Sequence, residues 1–127
     1  MQILIATNRS EKKFASFCDA LQNGVENVEL LFTNNWSNGL AAVKAMPTGF
    51  LILDQGLPEG EPFELIRQLL SVNPAVNCIV VTDLDKESFH EAGEGLGIFA
   101  QLPVEPSFAD GEDLARRIQW FMEGYRA

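Results

Sequence analysis

The chain has 127 residues, 46% apolar and 21% charged, a size and balance that fit one domain built around one core. Its formal charge of −9 at pH 7 argues against non-specific attachment to nucleic acid or to an anionic membrane, since both require basic surface. No apolar run approaches the roughly 20 residues of a membrane-spanning helix, and residues 1–5 have neither a basic n-region nor a small-residue cleavage site, so a cytoplasmic protein is expected.

Residues 2–6 form a short apolar run, read as a first strand, and Thr7-Asn8-Arg9-Ser10 breaks it into a polar loop. Ser10 or Asn8 can cap the helix that follows. Phe14, Phe17, Cys18 and Leu21 recur at helical spacing and give that helix an apolar face. Asn23-Gly24 should end it, with Gly24 in the left-handed position past the last turn. Residues 28–32 read as a second, edge strand. Residues 33–39 are rich in turn formers and read as a loop. There, Trp36 either caps the sheet edge or meets a partner. Residues 40–46 read as a short helix with Leu40, Val43 and Met46 on one side, closed by Pro47 and Gly49.

Residues 50–53 are an uninterrupted apolar run, a third strand buried on both faces. Asp54 follows where that strand emerges, and Gly56 and Pro58 turn the chain. A third helix carries Phe63, Ile66, Leu69 and Leu70 and stops at Asn73-Pro74. Residues 78–81 are the fourth strand, running into Thr82 and Asp83. Asp83 or Asp85 can cap a fourth helix bearing Phe89 and Ala92, which ends loosely at Gly93, Gly95 and Gly97. A fifth strand, 98–102, leads through Pro103-Val104-Glu105-Pro106 to a fifth helix from about Ala109 to Tyr125. Cys18 and Cys78 read as small buried hydrophobes, and His90 as a helix-surface residue without ligands around it.

Five strand–helix units imply an α/β fold with a parallel sheet and helical crossovers. Strands without alternation fit a sheet covered on both faces. The expected architecture is therefore a flavodoxin-like (βα)5 three-layer sandwich, one domain over residues 1–127, with strand order 2-1-3-4-5. Ligands in such sheets collect at the carboxyl ends of strands beside the switch point. Thr7, Asn8 and Asp54 converge there, with Thr82 close by.

With these residues in place, the chain resembles the receiver domains of bacterial two-component response regulators. The segment Leu51-Ile52-Leu53-Asp54-Gln55-Gly56-Leu57-Pro58, with Phe63-Glu64-Leu65-Ile66-Arg67 after it, is similar to the stretch around the family's phosphoacceptor aspartate. Val80-Val81-Thr82 resembles the end of its fourth strand, and Leu96-Gly97-Ile98-Phe99 the approach to its fifth. The resemblance implies Asp54 as phosphoacceptor, with Thr82, Asn8, Thr7 and Gly56 near the phosphoryl group. It also implies Mg²⁺, a hard cation whose charge offsets repulsion during transfer.

Two departures bear on that chemistry. The acidic pair that the family places after its first strand is here Thr7 and Asn8, both neutral, so Mg²⁺ at Asp54 should be weak. The family's phosphate-pairing lysine is replaced by Val104, or by Glu105 if the proline is aligned, and its switch aromatic by Gln101. Asp54 has a second, purely structural reading, as a carboxylate bonded to a neighbouring turn, and Thr82 one as an ordinary strand-end hydroxyl.

The expectation is an atypical receiver, not an enzyme and without a cofactor, that acts through a protein partner, either a histidine kinase or a downstream effector. The partner face would be helix four, strand five and helix five, with Gln101, Trp120 and Tyr125 as candidates and homodimerisation there as a corollary. The alternative is a working receiver phosphorylated on Asp54 by a histidine kinase. A flavodoxin-type small-molecule site is disfavoured, because the loop after strand one has no glycine for close approach to a phosphate.

Overall fold

The computed structural model describes residues 1–45 and 49–126, Tyr125 and Arg126 by backbone alone. Met46 and Pro47, read as the end of the second helix, and the side chain of Tyr125 lie outside the described residues. The strands are β1 (Gln2–Ala6), β2 (Glu29–Thr33), β3 (Gly49–Asp54), β4 (Val76–Val81) and β5 (Ala100–Leu102). The helices are α1 (Ala15–Gly24, preceded by a 3-10 turn at Glu11–Phe14), α2 (Trp36–Ala45), α3 (Pro62–Val72), α4 (Lys86–Ala92) and α5 (Phe108–Arg126). The five strands are parallel in the order 2-1-3-4-5, as the alternation of elements requires.

The strands sort their side chains by the two-residue period of a pleated strand. Ile3, Ile5, Phe50, Ile52, Ile79 and Val81 face one way, onto Phe14, Phe17 and Leu21 and onto Leu114 and Ile118 of α5. Leu4, Ala6, Leu51, Leu53, Cys78 and Val80 face the other, onto Trp36, Val43 and the Leu65, Ile66 and Leu69 face of α3. Every residue of β3 is buried, which explains its unbroken apolar run. The β1–β3 and β3–β4 ladders fix Asp54 at the carboxyl edge of the sheet, opposite Val81.

Four local expectations are corrected. The stretch read as a loop before Leu40 is already helical from Trp36, because the Asn35 side chain accepts the Asn38 amide at 3.1 Å and caps α2. Trp36 is consequently a buried core residue, packed in one cluster with Leu4 and Ala6 of β1 and its Nε1 donating to Gln68 at 3.2 Å, and is not an exposed loop aromatic free to meet a partner. Gly24 is the last helical residue of α1 and is not left-handed; a Cβ there would lie 2.6 Å from the Ala115 Cβ, so its role is close approach of α1 to α5. Finally, β5 begins at Ala100 rather than residue 98, since Gly97 takes φ 63° and delays the strand.

Candidate functional site

Asp54 ends β3 at 1% exposure, and a carboxylate so deeply placed needs partners. It has them. The Arg9 guanidinium grips it with two parallel bonds, Nε to Oδ2 at 2.8 Å and Nη2 to Oδ1 at 3.0 Å. The Thr7 hydroxyl donates to the same Oδ2 at 2.7 Å and accepts the Arg9 amide at 3.0 Å, so the loop after β1 is folded around the carboxylate. Arg9 Nη2 also donates to the Val104 carbonyl at 2.7 Å, and its guanidinium lies 5.1 Å from the centre of the Phe14 ring. One arginine therefore ties three strand ends together: its own loop after β1, Asp54 on β3, and the β5–α5 connection.

The planar fork of arginine matches a carboxylate, and fork-on-carboxylate pairs are among the strong charge-assisted bonds. Its positive charge lies where the resemblance places two functions, metal charge beside Asp54 and a cation from the segment holding Val104. The donor set does not suit Mg²⁺. Both oxygens of Asp54 are engaged by Arg9 and Thr7, Thr7 and Asn8 bring no charge, and among the described residues no three His, Cys, Asp or Glu side chains cluster as a metal site.

The other candidates divide. Thr7 joins Asp54. Asn8 and Gly56 are exposed, and Gly56 takes φ 91°, the left-handed turn conformation that favours glycine. Thr82 is buried one residue beyond the partner of Asp54, and its hydroxyl accepts the Leu84 amide at 3.2 Å. Gln101 Nε2 donates to the Leu84 carbonyl at 2.8 Å. Both backbone groups of Leu84 are thus held, one by each residue, which fixes the β4–α4 loop. Asp85 caps α4, accepting the Ser88 amide at 2.8 Å; that bond holds its carboxyl below the usual range. Asp83 is exposed.

Gln101 and Trp120 line different pockets, which have Arg116 in common. Gln101 lies beside α5 residues Asp110 and Arg117, whereas Trp120 lines a groove with Ala20, Asn23 and Gly24 of α1. Nothing is described of the Tyr125 side chain.

The sequence places Arg9 in the polar loop after β1 and assigns it no role, whereas the structure makes it the partner of Asp54. The signal is present: a buried Asp54 stripped of metal ligands and lysine still requires a positive partner, and Arg9 directly follows the substituted pair, Thr7 and Asn8.

No protein-family profile matches the chain, and no curated protein does. Solved structures do. The signal receiver domain of an HD domain-containing protein from Pseudomonas fluorescens superposes with a TM-score of 0.75 at 14% identity, over 98% of this chain and 90% of that one. The receiver domain of the stress response regulator RcsB from Escherichia coli gives 0.75 at 19% identity, over 98% and 94%. A CheY-like receiver domain protein from Methanospirillum hungatei gives 0.69 at 19%, over 97% and 94%. The fold is thus the flavodoxin-like, CheY-like α/β fold, and these structural neighbours are response-regulator receiver domains.

Proposed function

We propose that this chain is an atypical receiver of two-component signalling, a cytoplasmic module that works by protein–protein contact with a histidine kinase or a downstream effector, and in which phosphorylation of Asp54 is weak or absent. The observation that carries the reading is the Arg9 fork on Asp54. A phosphodonor needs one carboxylate oxygen free and accessible. Opening the site means withdrawing Arg9 and leaving a buried carboxylate unpaired, a cost of about 3–5 kcal/mol for a buried ion pair. Arg9 keeps 26% side-chain exposure, which favours the lower end. An open form at about 3–5 kcal/mol is populated at roughly one part in a hundred to one in several thousand. Mg²⁺ affinity is correspondingly weak and the module has no catalytic turnover of its own.

The locked β4–α4 loop supports the same reading. A receiver that switches must let the region around Thr82 rearrange; here Thr82 and Gln101 both hold Leu84.

The test is a titration with beryllofluoride, an aspartyl-phosphate mimic, at millimolar Mg²⁺, followed by the amide resonances of Asp54, Gly56 and Thr82. They are expected to stay in place. A clear Mg²⁺-dependent shift of those resonances overturns the proposal in favour of a working phosphoacceptor.

A further inference from the structure

Among the described residues, Phe108 at 42% and Trp120 at 78% are two of four large hydrophobic side chains left exposed, and both are on α5. Between them, at four-residue spacing, stand exposed Glu112 and Arg116. Residues four apart form one ridge on a helix. All four line one groove of about 400 Å³ floored by Ala20 and Gly24 of α1 and Ala115 of α5. The ridge reads apolar, acid, base, apolar.

That order is self-complementary. When two such ridges meet antiparallel about a two-fold axis centred between Glu112 and Arg116, Glu112 faces Arg116 of the second copy, Arg116 faces its Glu112, and Phe108 meets its Trp120 at each end. A two-fold contact requires this kind of matching of one patch with itself. The geometry is also an ordinary one, since four-residue ridges of two helices align when the axes cross at about −50°. Arg116 already contacts Asp113 on its own helix, but both side chains are exposed, and such pairs exchange partners at little cost.

We infer that a second copy of this chain docks on this face, pairing α5 with α5 through Phe108, Glu112, Arg116 and Trp120, on the side of α5 that borders α1 rather than the side that borders β5. The contact is small and partly charged, so the dimer is a concentration-dependent one. It is independent of the state of Asp54.

The experiment is sedimentation of the full chain from about 10 μM to about 1 mM, where mass action reveals weak dimers. The wild type should rise from 14.0 kDa toward twice that mass. Glu112→Arg alone and Arg116→Glu alone each place like charges opposite one another and should weaken self-association by about tenfold or more. Mixing the two single variants in equal amounts restores both opposite-charge pairs, and the mixture should dimerise where neither variant alone does. Far-UV circular dichroism confirms that the variants, changed only at exposed positions, remain folded. A wild type that stays monomeric throughout overturns the inference. So does a dimer that both single variants leave unchanged, or a mixture no more associated than its components.

Discussion

Arg9 is where single-residue chemistry decides most. Arg9→Ala removes the charge and three side-chain bonds from around Asp54 and leaves that carboxylate buried. Urea unfolding should show a loss of about 3 kcal/mol. Arg9→Lys keeps the charge but cannot reproduce the fork while reaching the Val104 carbonyl, so it should recover only part of that loss. The two thiols behave in the opposite, inert manner. Burial, with Asp19 and Glu11 adding to it, raises Cys18 to about 11, and burial raises Cys78 to about 12. The thiolate is the reactive form, so both should label slowly at pH 8 in the folded protein and quickly in denaturant. Their contribution to stability is fully present below the ordinary thiol value of 9.0 and is lost as pH rises toward 11 and 12. The buried character of Cys78 was legible from the strand around it. The Arg9–Asp54 pair was not, because nothing local to Thr7-Asn8-Arg9-Ser10 says that a side chain turns back across the strand ends; only the charge requirement of Asp54 does.

At the scale of elements, the periodic apolar runs carried most of the fold. The order 2-1-3-4-5, the two-sided burial of β3 and the apolar faces of α1, α3 and α5 all follow from spacing that packing then reinforces. Where the structure departs from the sequence pattern, a glycine or an asparagine has two physical uses. Asn35 looked like a turn former and is a helix cap. Gly24 looked like a left-handed terminator and is a contact residue. Gly111 has the same use within α5: a Cβ there would meet the Phe17 carbonyl oxygen at 2.5 Å and the Ala20 Cβ at 2.7 Å. Alanine favours an isolated helix over glycine by about 1 kcal/mol. Gly111→Ala should nonetheless destabilise by about 2 kcal/mol, because the atom it would strike first is backbone and α1 must move away from α5. Thermal unfolding of Gly111→Ala distinguishes the two effects by sign.

Across the whole molecule, stability is unevenly spread, and the uneven part lies beside the site. β1, β3 and β4 are central in the sheet and nearly all buried between two layers of helices. α4 has seven residues and buries none of them fully. It is followed by Gly95 and Gly97 in left-handed conformations, and its main holds are the Asp85 cap and the edge contact of Phe89 with Phe63 at 5.5 Å. Local opening follows such differences in burial. Amide hydrogen exchange should therefore reach α4 first, with the amides of β1, β3 and β4 exchanging only on global unfolding. The Leu84 clamp sets the boundary between the two regimes. Gln101→Ala removes the bond to the Leu84 carbonyl without touching Asp54. It should extend fast exchange from α4 back toward Leu84 while the central strands keep their rates. If exchange in that variant instead accelerates uniformly, Gln101 supports the fold at large. If Leu84 and α4 alone respond, the residue that stands where the resemblance expects a switching aromatic is acting as a lock on the adjacent loop.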